Sequence, residues 1–202
     1  MKRKVVFVHV PKTGGLSIRA ICQQHRIIVI THDIRSRNYV SLERYKSIDP
    51  TCFAFAFVRN PWDRVVSAYF YLKRGGDREE DRKDAEVYLP YDDFKSFVLG
   101  AFKTETIFEQ LHFTPQYRWL SDKSNLLVDS VARFENLQED FSKYCGLFNL
   151  PNYKLPVSNK SVHAEYKTYY DDQTWSIVAN AYRRDIDLFG YAGCLRLSPA
   201  SS

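Results

Sequence analysis

"VVFVHVPKTGGLSIRAICQQH", residues 5–25, decides how the chain is read. Residues 5–10 are apolar except for His9, rich in Val and Phe on both faces, as in a strand of a covered parallel sheet. Pro11, Lys12, Thr13, Gly14 and Gly15 interrupt that run, and Ile18, Ile21 and Cys22 then recur on one helical stripe. A strand that turns through glycines into a helix brings the helix's first amides to the turn. Those amides have no intrahelical partners, and the helix dipole adds partial positive charge. Paired glycines let an anion approach such a backbone closely. Lys12 adds a full charge, and Thr13 and Ser17 add hydroxyls. The plain alternative is a tight turn with a surface lysine; five suitable side chains or glycines within residues 12–17 favour the anion site. In a nucleotide triphosphatase loop, G-x-x-x-x-G-K-[ST], the lysine follows the glycines. Here Lys12 precedes them, so the loop suits a nucleotide's 5′ anion held in a different arrangement.

Working outward, residues 27–30, 52–58 and 126–131 read as further buried strands. After the third strand-like run, Asn60 caps a helix with Pro61 in its first turn and Val65, Val66, Tyr69 and Leu72 on its apolar stripe. The mixed-charge stretch 73–86, "KRGGDREEDRKDAE", reads as a solvated loop or excursion. Asp92 or Asp93 caps a helix carrying Phe94, Phe97 and Val98. Residues 136–144 form another, with Gly146 as terminator, and Asp171 or Asp172 opens a long one carrying Trp175, Val178, Ala179, Tyr182 and Ile186. Strands alternating with helices predict an α/β fold with right-handed crossovers. The expected architecture is P-loop-like and three-layered, a central parallel sheet of four or five strands flanked by helices, in one domain over residues 1–202.

With 45% hydrophobic and 15% aromatic residues in 202, the composition is that of a packed globule. The net charge of +5 suits anionic partners such as nucleotides, acidic saccharides or nucleic acid, and would also serve solubility alone. Acidic residues dilute the basic ones, as in 73–86, which argues against a nucleic-acid binder. Cys22, Cys52, Cys145 and Cys194 lie far apart, without the spacing of a zinc site or a dense disulfide framework, so reduced thiols in the cytoplasm are expected. The basic start Met1-Lys2-Arg3-Lys4 precedes an apolar run too short for an export signal or a membrane span. Oligomeric state is not legible.

"PKTGGLS" resembles the 5′-phosphosulfate loop of sulfotransferases that use 3′-phosphoadenosine 5′-phosphosulfate (PAPS). "FAFVRNPWDRVVSAYFYL", residues 55–72, resembles their 3′-phosphate motif, and the similarity continues through "PQYRWL", "RFENLQEDF", "VSNKS" and "DIDLFGY". It points to the carbohydrate branch, similar to heparan 2-O-sulfotransferases and their bacterial relatives. The resemblance implies transfer of a sulfuryl group from PAPS to an acceptor hydroxyl, on a saccharide in that branch. It implies donor contacts from Lys12, Thr13, Gly14, Gly15, Leu16 and Ser17 at the 5′ end, and from Arg59 and Ser67 at the 3′-phosphate. Lys160 and Ser161 would contribute from a late loop that closes over the nucleotide. No metal is demanded, because a sulfuryl group carries less negative charge than a phosphoryl group.

The residues support the pairing on their own. Lys12 follows one strand and Arg59 ends another, and in open parallel sheets ligands bind beyond the carboxyl ends of the strands. Arg59 offers a planar fork to a terminal phosphate; its bland alternative is an ion pair with Asp63, and that of Ser67 is a small residue at a helix contact. Lys12 is placed to stabilise the leaving oxygen. His32, in "IIVITHD" at the end of strand 27–30, is the expected general base, its imidazole titrating near pH ~6.5 when unperturbed. Many relatives carry Gly-His where this chain has Thr31-His32, and Asp33 either orients the ring or caps the next segment. His9 is expected to pack in the core or support the loop, His112 to line an acceptor cleft or lie on the surface, and His25 and His163 to be exposed. Gln116, Tyr117 and Trp119 face an acceptor, with core packing an equal alternative for Trp119, and Arg133 with Glu135 forms an ion pair near the site. Residues 38–49 and 73–90 are the candidate acceptor loops. The rival reading is a kinase or nucleotide hydrolase with an atypical phosphate loop, in which Asp129 of "NLLVD" holds magnesium.

Overall fold

A computed structural model describes residues 4–31, 41–122, 125–155 and 163–195. Four strands, β1 (Val5–Val8), β2 (Ile28–Ile30), β3 (Phe53–Val58) and β4 (Ser130–Arg133), form one parallel sheet in the order β2-β1-β3-β4. The helices are α1 (Gly15–Gln24), α2 (Leu42–Ile48), α3 (Pro61–Lys73), α4 (Glu79–Tyr88), α5 (Phe94–Ala101), α6 (Tyr117–Leu120), α7 (Leu137–Leu147), α8 (Asp172–Ala181) and α9 (Arg183–Leu188). The expected α/β fold, a parallel sheet flanked by helices, is the one observed. Two compact units make up the chain, Met1–Arg59 with Gln116–Asn159 and Asn60–Pro115 with Lys160–Ser202. Among the described residues no helix is long and apolar enough to cross a membrane.

The first unit holds the sheet. Phe7, Phe55, Phe57 and Ala132 pack on one face with Ile18, Ile21 and Cys22 of α1 and Phe141, Tyr144 and Cys145 of α7. Val6, Val8, Ala54, Ala56 and Val58 alternate with them and are buried as well, which is why these strands read as unbroken apolar runs. Burial also pushes the Cys22 thiol up to about 12, with nearby Cys145 adding to the effect, so that thiol is inert. The fourth strand begins later than residues 126–131 suggest. Asp129 donates its amide to the Ala54 carbonyl at 2.8 Å, and its carboxylate accepts from the Ala54 amide at 2.8 Å. A side chain thus occupies the partner position, and the regular ladder starts at Ser130. Leu126 and Leu127 instead pair with Ser121 and Leu120 at the end of α6.

Gly146 does not terminate α7. The helix runs through it, and Asn149 takes the left-handed position (φ 55), with bonds from Leu150 N to Cys145 O and from Asn149 N to Gly146 O. These two bonds are the Schellman pattern. α1 ends the same way at Arg26 (φ 56), which returns the chain directly into β2.

In the second unit α3 starts as expected: Asn60 Oδ1 accepts from the amides of Trp62 and Asp63, with Pro61 in the first turn. Trp62 stacks on Trp175 of α8 with centroids 4.5 Å apart, and its indole donates to the Trp175 carbonyl. Asp93 and Asp171 cap α5 and α8 through reciprocal bonds with Ser96 and Thr174. Two segments differ from expectation. The charged stretch 73–86 contains most of a helix, α4, in place of a solvated loop. The long helix opened by Asp171 is two helices, because Tyr182 leaves helical geometry (ψ 25) where its hydroxyl donates to Phe113 O at 2.6 Å.

Candidate active site

The opening loop joins β1 to α1 at the carboxyl edge of the sheet. His9 donates its amide to Ile30 O at 2.8 Å, which holds the loop's root against the end of β2. Lys12 then adopts a left-handed backbone (φ 66), as does Gly14 (φ 73). For a lysine that conformation costs about 1–2 kcal/mol, so the surroundings must enforce it. Two bonds do so. The Thr13 hydroxyl donates to Val10 O at 2.9 Å, and the Lys12 carbonyl accepts from Arg59 Nη1 at 3.2 Å. Thr13 is fully buried, and its hydroxyl ties the loop internally.

The two glycines answer different demands. At Gly14 the positive φ excludes ordinary side chains, and a Cβ there would lie 2.8 Å from Leu137 and 3.1 Å from the Phe134 ring. At Gly15 a Cβ would run into the His9 imidazole. His9 is buried, stacked on Phe7, and supports the loop as expected. Leu16 is exposed and Ser17 half-buried, both in the first turn of α1.

Arg59 follows the last residue of β3. Val8 of β1 pairs with Ala56 of β3, and Val58 pairs with Arg133 of β4, so Arg59 leaves the sheet between the loop and the turn after β4. Its guanidinium lies over the Phe134 ring, 4.1 Å from the centroid, while Nη1 reaches the Lys12 carbonyl. Its backbone is held from elsewhere. Gln116 Oε1 accepts from Arg59 N at 2.9 Å, and Gln116 Nε2 donates to Arg59 O at 2.8 Å. Gln116 is therefore fully buried beneath Arg59 and does not face an acceptor. Phe134 is the part of the site that sequence reasoning missed, and Gln116, singled out for an acceptor, instead holds the Arg59 backbone. Phe134 sits inside "RFENL", where only the charged neighbours drew attention.

The remaining candidates separate. Ser67 is buried in α3, in the second unit. His32, Lys160 and Ser161 lie outside the described residues. Arg133 closes β4 and donates its amide to Asp140 at 3.2 Å. His112 is buried, with its amide on Gln110 Oε1 and its ring on Tyr71, so it is not a surface histidine. His25 is not a bare surface group either: Nε2 lies 2.6 Å from the Tyr153 hydroxyl. His163 stacks against Phe70. Asp129 precedes β4 and so lies at the amino edge of a parallel sheet whose opening loop, between β1 and α1, is at the carboxyl edge. There it accepts from Lys46 Nζ at 2.8 Å and from the Ala54 amide. A magnesium-holding role beside the loop does not fit that position.

The sequence model of the sulfotransferase family matches residues 1–192. The chain belongs to the sulfotransferase family, the PAPS-dependent transferases that its motifs resemble. It is 36% identical over 97 residues to an uncharacterized protein of Archaeoglobus fulgidus, covering 48% of this chain and 68% of that one. Among solved structures, mouse sulfotransferase SULT7A1 complexed with PAP aligns with a TM-score of 0.47 at 11% identity, covering 96% of this chain and 87% of the other. A sulfotransferase from Alicyclobacillus acidocaldarius aligns with a TM-score of 0.45 at 14% identity, covering 94% and 96%.

Proposed function

We propose that the chain transfers the sulfuryl group of PAPS, in line, to an acceptor hydroxyl on a saccharide, with His32 as general base. The observation that carries this reading is the bond between Arg59 Nη1 and the Lys12 carbonyl, which joins the cation after β3 to the anion loop after β1. The residues fit the donor. The leading amides of α1, the left-handed turn at Gly14 and the Lys12 ammonium suit a 5′-phosphosulfate. The Arg59 fork suits a separate terminal phosphate. PAPS would supply the activated sulfuryl group; the chain supplies charge placement and a proton acceptor.

Lys12 offsets the negative charge that builds on the leaving phosphate oxygen, and His32 takes the proton of the attacking hydroxyl. Gly14, Gly15, Leu16 and Ser17 shape the 5′ cradle around Thr13, which locks it. Ser67 shares the 3′-phosphate with Arg59 by motif match, and Lys160 and Ser161 close over the nucleotide. The chemistry demands no metal. Residues 1–202 act as one catalytic domain, in the cytoplasm, where the scattered cysteines stay reduced.

A thermal-shift comparison of adenosine 3′,5′-bisphosphate, AMP and Mg-ATP tests the donor assignment. At a hundredfold over its Kd the bisphosphate should stabilise the fold by roughly 2.7 kcal/mol. Lys12→Ala should weaken binding of both the bisphosphate and AMP, and Arg59→Ala and Ser67→Ala that of the bisphosphate more than that of AMP. His32→Ala should abolish sulfation of a saccharide panel while sparing bisphosphate affinity. Stronger stabilisation by Mg-ATP than by the bisphosphate would overturn the reading in favour of a kinase.

A further inference from the structure

A strand that ends at a ligand leaves a backbone problem. The ladder that satisfies β3 stops at Val58, and the next residue must carry its guanidinium to the site with an amide and a carbonyl still to be paired. Gln116 pairs both. It is the residue before α6, its own carbonyl accepts from Trp119 N, and its side chain is fully buried. The two bonds to Arg59, 2.9 and 2.8 Å, run in opposite senses, donor to acceptor and acceptor to donor, as a neighbouring strand would make them. A carboxamide presents that pair of groups on one flat tip. An ionised glutamate lacks the donor, and an aliphatic residue lacks both. The reverse setting of the amide would put donor against donor, so the network admits one orientation.

We infer that Gln116 is a positioning residue for donor recognition. It extends β3 by one paired residue and thereby sets the direction in which Arg59 projects. Phe134 under the guanidinium and the Lys12 carbonyl at Nη1 complete the support from the side-chain end. The inference rests on the proposed role of Arg59 at the donor's 3′-phosphate. It assigns Gln116 no contact with the nucleotide. Its effect is therefore confined to whatever Arg59 does, and it should be felt more in the 3′-phosphate increment of affinity than at the 5′ loop, which Arg59 touches through the Lys12 carbonyl.

The experiment measures affinities of the whole chain for adenosine 3′,5′-bisphosphate and for AMP, which lacks the 3′-phosphate. Gln116→Glu, nearly isosteric, should lower bisphosphate affinity about tenfold, the equivalent of losing one to two buried hydrogen bonds, while AMP affinity stays within about twofold. Retained AMP binding reports a folded chain with an intact loop. Gln116→Asn keeps both groups on a shorter arm and should fall between; it serves in place of Gln116→Glu if that variant does not fold. In an Arg59→Ala background, Gln116→Glu should cause no further loss of bisphosphate affinity. Equal losses for both nucleotides, or an undiminished preference for the bisphosphate, would overturn the inference while Arg59→Ala still loses that preference. If Arg59→Ala keeps the preference, the reading of Arg59 fails first and the inference falls with it.

Discussion

A methyl group on Gly15 would be driven into the imidazole of His9, a ring already held by Phe7 on its other side. Both rings are buried in the first unit. Gly15→Ala should therefore destabilise the chain by about 1–3 kcal/mol through overpacking. In a His9→Ala background the same substitution should cost distinctly less, and urea denaturation of the four chains in that cycle measures the coupling. Additive costs would mean that the clash is relieved some other way. The glycines themselves were legible, because a strand-to-helix turn beside a lysine is a local pattern. What each glycine answers to was not: Gly14 meets Leu137 and Phe134, Gly15 meets His9, and the first pair of contacts comes from far along the chain. Thr13 marks the same boundary. Its presence in the motif is local information, but the direction of its hydroxyl, toward Val10 O, depends on how the turn closes.

Among the helices, α4 is the instructive case. Seven of its ten residues are charged, and a helix so polar has little apolar face to announce it. It forms because Asp81, buried at 7% exposure, gathers three donors on one carboxylate oxygen: the Tyr71 hydroxyl at 2.6 Å and the amides of Asp77 and Arg78 at 3.1 and 3.2 Å. Gly76 passes so near that a Cβ there would strike the Asp81 side chain. Burial, and then the bond to Asp81, raise the Tyr71 hydroxyl well above the ordinary phenol range, so it remains a donor. Asp81→Ala should strand those donors and cost about 1–3 kcal/mol, read as a lowered denaturation midpoint. An unchanged midpoint would show that the helix start does not depend on this carboxylate. By contrast, Asp93 and Asp171 were legible as caps, since an acidic residue directly before an apolar helical stripe signals its role within one turn of chain.

For the chain as a unit of folding, stability should carry a pH dependence that can be traced. Asp171 caps α8 and meets Lys95 of α5 at 2.7 Å. The hydrogen bond from Lys95, followed by those from Thr174, holds its carboxyl far below the usual carboxylate range. A depressed folded pKa means stability that is present above the unfolded value of about 3.9 and lost as pH falls below it. Asp171→Asn keeps a capping oxygen and removes the charge. The variant should therefore unfold at a lower temperature than the parent near neutral pH, with the gap closing below about pH 4. A gap that persists undiminished in acid would assign the loss to the cap and not to the charge. The parallel α/β layout, the glycine turn from β1 into α1 and the cap of α3 at Asn60 were all readable along the chain, because strand runs, glycine turns and capped stripes are written in neighbouring residues. The strand order, the start of β4 at Ser130, the removal of Asp129 to the far edge and the clamp of Gln116 on Arg59 across 57 residues emerged from packing in three dimensions. Those depend on which distant segments meet, and a hydrogen bond closed over such a span leaves no periodicity in the chain that makes it.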